Sequence, residues 1–486
     1  MANIPITKAV IVEPLANKFV PYRPIFEPYN EAAHTCLQRL IDNLPDIPTS
    51  AVSKAKYQLA IGSFLAAAQA SNTSDDGVIT WPQHRSNWGH YSVGHQIITN
   101  VRDKLEQAGF ISQVEGTGKR IFAERDKDST EPAEFVDMPA MYVVDEQLEY
   151  LESFNTSEWI ETSRPQVMVA KYEEEWQRQW RKANGLASPK LSITKLKAMG
   201  KRYSNAVVQI NTLQRLWRQH PLQLPVYDNR PPRYSCSVTR TFHRGKLDAG
   251  GRMYGSWTML NQSKDKARLR CSIDDEYVAH IDIAASQPTL FSALLGIRIN
   301  CGDTWTDPYK SVLTQTPYFN DKETDRTRRN KVKSVIMEMI GTGNCLKEMP
   351  SEANEHHWDE GQSEWLKYQT AVLAVFPALY KLHRATGMDG AGFLSFHESE
   401  MLIKTIENLA AQGIAAYPMH DCILVAGSKR DIGVEVFQAT VRDYILTHCR
   451  DNNRDEIIDL TVPLTVEMIV NRLRDSEKVF LRGFYS

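Results

Sequence analysis

Residues 416–426 read AYPMHDCILVA. Two apolar runs meet at His420 and Asp421, and a polar pair between core-bound segments costs free energy unless it sits in a turn or holds a ligand. The apolar runs on both sides, continued upstream to Gly413, predict a β-hairpin with this pair at its tip. The dipeptide by itself decides nothing about chemistry. Its meaning depends on what else the chain brings to the hairpin.

A second carboxylate has a comparable setting. YVAHIDIAASQPTLFSALLG, residues 277–296, alternates as a buried strand through Asp282. It then turns into a helix begun near Pro288 and stopped at Gly296. Two carboxylates on adjacent strand ends can hold two Mg²⁺ ions about 4 Å apart, one activating an attacking oxygen and one steadying a leaving phosphate. Mg²⁺ suits such a site because it takes few carboxylates and completes its shell with phosphates and water. Between the two aspartates lies DKETDRTRRNKVKSVIMEMIGTGN, residues 321–344. Arg326, Arg328, Arg329, Lys331 and Lys333 crowd the start of a helix whose apolar positions are Val332, Val335, Ile336, Met339 and Ile340. Such a cluster repels itself unless solvent or an anion relieves it, and a triphosphate is the economical anion for Arg and Lys.

These segments, in this order, resemble the family A DNA polymerases and the bacteriophage-type single-subunit RNA polymerases. DIAASQPTLFSALLG looks like motif A, RNKVKSVIMEMIG like motif B and MHDCI like motif C. GGRMYGSW, residues 250–257, is similar to the Gly-Arg-x-Tyr element before motif A, and FHESEMLIKTI, residues 396–406, to an element before motif C. The resemblance covers residues 240 to about 425. It implies an α+β, right-hand polymerase with palm, fingers and thumb. It implies Asp282 and Asp421 as catalytic ligands of two Mg²⁺ ions, with Mn²⁺ able to substitute. Arg329 and Lys333 would meet the nucleotide phosphates, Gln287 its sugar, Arg252 and Tyr254 the template or primer, and His420 the primer end. DNA template, primer and nucleoside triphosphates would be the partners.

The chain departs from that pattern in two places. Motif B has two registers: aligning Arg329 and Lys333 leaves Gly341 where the family has tyrosine, and aligning Gly341 with the family's glycine leaves Ile340 there and Val332 at the lysine. Gln287 stands where DNA polymerases carry a bulky glutamate and RNA polymerases a glycine. Its size favours deoxynucleotides, whereas the FSALL run at 291–295 is closer to the RNA polymerases. The sugar stays open.

The N-terminal half reads differently. Helical spacing marks AKYQLAIGSFLAAAQA within residues 46–70. Residues 92–124, SVGHQIITNVRDKLEQAGFISQVEGTGKRIFAE, predict a helix capped by Ser92, striped by Ile97, Ile98, Val101 and Leu105, and ended at Gly109. FISQV and RIFAE would then pair across Gly116–Gly118. Helix plus hairpin suggests a winged-helix-like DNA-binding domain, with His95 and Asn100 on the helix and Lys119 and Arg120 on the wing as duplex contacts. From Lys171 to His220 there are eleven Lys and Arg against three acids, a balance able to face phosphates. Trp176, Trp180, Leu213, Leu216 and Trp217 suggest two helices there.

The expected organisation is an arm at 1–45, the winged-helix-like domain at 46–123, a linker at 124–139 and a helical thumb-like region at 140–218. A Pro-rich linker at 219–235 leads to palm at 236–296, fingers at 297–395 and palm again at 396–486. No Asp-x-Glu nuclease core is evident in the first 235 residues, so proofreading is not expected. By analogy, a small polymerase with its own DNA-binding module fits a phage or mobile element.

Composition is that of a soluble globular protein. The chain has 486 residues, 42% of them hydrophobic and 24% charged, with net charge −2. It has no apolar run of about 18 residues and no signal-peptide pattern at its start, so the expectation is cytoplasmic with no membrane partner. Seven scattered cysteines, never as Cys-x-x-Cys, argue against a disulfide framework or zinc finger. His356, His357, Asp359 and Glu360 read as a solvated loop, and His280, Asp303, Asp307 and Glu398 as satisfied polar groups or loop residues, with a place in the site as the alternative for each of these four. The leading function is a template-directed nucleotidyltransferase. The alternatives are a DNA-binding initiator or regulator with a degenerate polymerase-like half, and a template-independent nucleotidyltransferase.

Overall fold

The structure is a computed structural model of the full chain. It describes residues 20–71, 78–82, 88, 90–115, 117–118, 120–122, 135–137, 139–174, 176–178, 181, 188–225, 234–260, 266–301, 307–318, 324–343, 345, 348–349, 358–382, 390–449, 464–471 and 478–485. The chain divides into two compact units, Met1–Ser204 with Gln223–Thr239 and Asn205–Leu222 with Arg240–Ser486.

In the first unit β1 (Val20–Pro21) and β2 (Phe26–Pro28) precede α1 (Glu31–Asn43). This helix lies inside the segment expected as an arm. Asn30 caps it by accepting from the Ala33 amide at 2.9 Å, and Ala33, Cys36, Leu37, Leu40 and Ile41 form its buried stripe. Next comes α2 (Ala51–Ser71), which is alanine-rich and buried on most sides of its second half. Small residues let neighbours close on it: a Cβ at Gly62 would stand 3.2 Å from the Trp159 ring.

After β3 (Val78–Trp81), α3 runs His95–Gln107, with Ile98, Val101 and Leu105 buried. Gly94 is its N-cap and offers no side-chain bond, so Ser92 does not cap it. The hairpin expected across Gly116–Gly118 is corrected as well. β4 (Ile111–Gln113) pairs with β7 (Ala140–Val144), and β5 (Arg120–Phe122) pairs with β6 (Phe135–Asp137). The loop after β4 is stitched sideways rather than reversed: the Met141 amide donates to Thr117 Oγ1 at 3.0 Å, and Thr117 Oγ1 donates to the Val114 carbonyl at 2.7 Å. The two strand pairs belong to separate sheets, and the expected linker at 124–139 contributes β6 to the second. Lys119 lies outside the described residues, as do 123–134.

Region 140–218 is not wholly helical. It holds β7, β8 (Trp159–Glu161) and β9 (Val167–Val169), where aromatic and β-branched residues favour strands, and then α4 (Ile193–Ala198) and α5 (Lys201–Gln219). β10 (Tyr234–Ser235) pairs with β8. One core joins Leu40, Ile61, Phe64, Trp81, Ile98, Leu105 and Trp159.

The second unit is built on a sheet. After β11 (Gly250–Tyr254) and β12 (Ser272–Ile273), the central strand β13 (Glu276–Ile283) carries Asp282 near its end, and α6 (Ser286–Leu294) follows after two residues. Helix α6 begins two residues before Pro288. Helices α7 (Pro308–Leu313), α8 (Asp325–Thr342) and α9 (Gln362–Val375) form a second core around Val332, Ile336, Trp365 and Tyr368. The chain returns through α10 (Gly390–Ala410), β14 (Ala416–Met419), β15 (Cys422–Ala426) and α11 (Arg430–His448), and ends in β16 (Leu464–Asn471) and β17 (Lys478–Tyr485). β13 lies between β15 and β16, and Asp282 faces Cys422 on one side and Thr465 on the other.

β14 is the sheet's outer strand, which tolerates Pro418 because no ladder amide is needed there. Its outward carbonyls are nonetheless satisfied. Trp217 Nε1 donates to the Ala416 carbonyl at 2.8 Å and Trp257 Nε1 to the Pro418 carbonyl at 2.7 Å. Tyr417, between them, stacks on Trp217 with centroids 5.1 Å apart.

Helix α10 starts hard against α8. A Cβ on Gly390 would lie 2.5 Å from the Ile340 carbonyl oxygen. Gly390→Ala is therefore expected to destabilise the protein by about 1–3 kcal/mol, read as a lowered midpoint in urea with unchanged slope.

Candidate active site

The hairpin tip is a two-residue connection, since Met419 pairs directly with Cys422. His420 supplies the reversal with φ +60, and Ala285, the N-cap of α6, has φ +50. Non-glycine residues in this region cost on the order of 1–3 kcal/mol each and concentrate at functional sites. Here one strained residue follows Asp282 by three positions and the other precedes Asp421.

The register of β13 and β15 brings the two aspartates to one end of the sheet. Asp282 is largely buried, and its Oδ1 has no hydrogen-bond partner. Burial first, then the charges of Asp421 and Glu398, hold its carboxyl well above the usual range. Such a pair is unfavourable alone and is relieved by a cation. Among the described residues no group of three or more His, Cys, Asp or Glu side chains converges on a metal position. Two carboxylates and an orphaned buried oxygen fit Mg²⁺, which needs few protein ligands when substrate phosphates and water supply the rest.

Glu398 of α10 is fully buried. It accepts from Ser286 Oγ at 2.7 Å and from Arg252 Nε at 3.0 Å, and Arg252 Nη2 also reaches it. Burial pushes its carboxyl up to about 7, against the pull of Arg252. Gly250 and Gly251 shape the strand that presents Arg252, with φ +83 and +85. A Cβ on either would collide with His243 or Phe242. Tyr254 meets His420 edge-on, with centroids 6.1 Å apart.

On α8, Arg329 and Lys333 stand one turn apart. The charges of Asp282 and Asp421 act on Lys333, whose ammonium is nevertheless held below the usual lysine range by desolvation and by Arg329. Two other members of the cationic cluster are put to other use. Arg328 is buried, donating to the Leu313 carbonyl at 2.6 Å and to Thr316, and Lys331 is buried on Glu364 at 2.6 Å. The crowding of five cations is thus relieved in part by the protein itself, since a helix has an inward face and these two lie on it.

No protein-family model and no curated protein matches this chain. Among solved structures, it is similar to the POL domain of Pol1 from M. smegmatis in complex with DNA primer-template and dNTP. The match has a TM-score of 0.29 and 10% identity, and spans 57% of this chain and 55% of that one.

The second unit thus gathers Asp282, Asp421, Arg252, Tyr254, His420, Arg329 and Lys333. Gln287 opens α6 five residues after Asp282, and its Oε1 is buried without a partner. The duplex-contact set lies in the first unit. Asn100 there is tied to Tyr57 Oη at 3.2 Å and to Gln96. Its helix commits Lys104 to the Pro45 carbonyl and Arg102 to Asp103. Arg120 lies in β5. No helix among the described residues is long and apolar enough to cross a membrane.

Sequence reading undervalued Glu398, although a glutamate on the helix face shared with Leu394, Met401, Leu402 and Thr405 must be partnered. It also undervalued Asp307, and it did not single out Tyr309, which the fold brings beside Arg329.

His280, behind the site, is buried with Nε2 2.8 Å from Cys422 Sγ. Desolvation lowers it from the usual 6.5 to about 4. The unfolded chain then takes this proton first, so the contribution is full above about 6.5 and is lost as pH falls towards 4, about 3 kcal/mol in all. Glu398, raised to about 7, works in the opposite sense, stabilising as pH falls below that value. The His280 effect is therefore expected in the difference between the wild type and His280→Phe, measured by urea unfolding in chelator at pH 4.5 and 7.5.

Proposed function

We propose that this chain is a template-directed nucleotidyltransferase acting on DNA, in which the 3′-hydroxyl of a primer attacks the α-phosphate of a nucleoside triphosphate. The observation that carries the reading is the meeting of Asp282 and Asp421 at one sheet end, with their charges acting on Lys333 of α8. Asp282 and Asp421 would hold two Mg²⁺ ions, whose chemistry is to activate the attacking oxygen and neutralise phosphate charge. Arg329 and Lys333 bind the triphosphate, Gln287 lies at its sugar, and Arg252, Tyr254 and His420 orient the primer and template. In this reading residues 236–296 and 396–486 act as palm, 297–395 as fingers and the basic helices as thumb. Catalysis is then mainly positioning and charge stabilisation.

The alternative, a DNA-binding regulator, would bind duplex through His95, Asn100, Lys119 and Arg120, of which Asn100 is engaged with Tyr57 and Gln96. The test is primer extension on a defined template with Mg²⁺ and either dNTPs or NTPs. Products whose length and sequence follow the template support the reading, and the nucleotide used assigns the sugar. Untemplated tails point to the template-independent transferase, and no extension with either set overturns the proposal.

A further inference from the structure

Arg329 is held in a way that its neighbours on α8 are not. Its Nη1 donates to Asp307 Oδ2 at 2.5 Å, and its guanidinium carbon lies 4.7 Å from the centroid of the Tyr309 ring. Tyr309 itself is fixed, being 9% exposed and packed with Val312 and Val332 in the second unit's helical core. Asp307 is fixed too, since its Oδ1 caps α7 by accepting from the Tyr309 amide at 3.2 Å. One short motif, Asp307-Pro308-Tyr309, thus clamps the guanidinium at one edge and one face.

A guanidinium has five N–H donors. Among the described residues only the Nη1 bond to Asp307 is made, which leaves the other edge open. Lys333, one turn along α8 and within the electrostatic reach of Asp282 and Asp421, has no protein partner among those residues either. Arg328 and Lys331 face inward, onto the Leu313 and Thr316 carbonyls and onto Glu364, so neither joins Arg329 and Lys333 in meeting an anion.

We propose that Asp307 and Tyr309 are positioning residues that hold Arg329 so that its free edge, with Lys333, forms a preorganised receptor for the triphosphate of the incoming nucleotide. This rests on the nucleotidyltransferase reading and adds to it how the phosphate site is built. Arginine loses substantial rotamer freedom when it binds, and a clamp made before the ligand arrives removes that cost from binding. Asp307 also repels the phosphate through space. At a partly exposed site this repulsion is screened by water and salt, so the positioning effect prevails.

The test measures binding of tripolyphosphate by titration calorimetry without nucleic acid, and separately KM and kcat for the nucleotide. Asp307→Asn keeps an oxygen for the cap but loses the charged partner. It is expected to weaken tripolyphosphate binding and raise KM about five- to tenfold, with kcat within about twofold. Tyr309→Leu is expected to do the same, and Tyr309→Phe, which keeps the ring, to restore what Tyr309→Leu loses. Unchanged or tighter tripolyphosphate binding in Asp307→Asn overturns the inference, as does a wild type that binds tripolyphosphate no better than it binds a duplex DNA lacking a triphosphate. If Asp307→Asn does not fold, the Tyr309 pair decides alone. A wild type that binds tripolyphosphate through this clamp but incorporates no nucleotide sinks the polymerase reading and leaves the clamp standing.

Discussion

Under the proposed function, Asp421→Asn is expected to abolish nucleotide incorporation and at the same time to raise the melting temperature of the metal-free protein. Losing one of two carboxylates removes several kcal/mol of transition-state charge stabilisation, which is about 10³-fold or more in rate. The stability effect has the opposite sign because Asp282, buried with an orphaned oxygen, is pushed up by Asp421 and Glu398 as well as by burial. Deleting a neighbouring like charge relieves that repulsion, and even about 1 kcal/mol moves the midpoint by about 2 °C or more. Stability given up at a site is what a charge pair awaiting a cation produces. Primer extension and thermal unfolding in chelator read the two effects. A variant that loses activity because it melts lower, or one that keeps synthesising, sinks the assignment.

The legible parts of this molecule were those where local chemistry and fold agree. Strand, carboxylate and helix at 277–296 follow from period-two alternation and a proline in the first helical turn. The hairpin at 416–426 follows from two apolar runs with no room for a longer loop. The illegible parts depend on partners distant in sequence. Nothing near Arg328 says that it turns inward to the Leu313 and Thr316 carbonyls, and nothing near Lys331 names Glu364. The β4 strand was misread because Gly116 and Gly118 look like a turn. What settles the pairing is Thr117 bonding to Val114 and Met141, across a gap that composition does not span. Helix α1 was a different kind of omission, since Asn30 and the stripe from Ala33 to Ile41 were there to be read.

Glu398 shows the same dependence on distant partners, and its replacement is the second large effect expected. Glu398→Ala leaves the Arg252 guanidinium, only a quarter exposed, and the buried Ser286 hydroxyl without their acceptor. Breaking a buried pair from one side costs about 3–5 kcal/mol because the surviving charge stays desolvated. Glu398→Gln keeps a carbonyl oxygen for one of the two donors and removes a charge that acts on Asp282, so it is expected to cost much less. The two substitutions also separate structure from function. Arg252 takes its orientation from Glu398 and from the Gly250–Gly251 start of its strand, so in Glu398→Gln the guanidinium, which feels the charge of Asp421, is held more loosely. If Arg252 contacts the primer, Glu398→Gln should raise KM for primer-template several-fold while KM for the nucleotide and the urea midpoint barely move. If Glu398 serves the fold alone, both variants should lose stability in proportion to the bonds removed and neither should change the primer-template KM. Urea unfolding of the two variants, set beside their KM values for primer-template and nucleotide, decides between these outcomes.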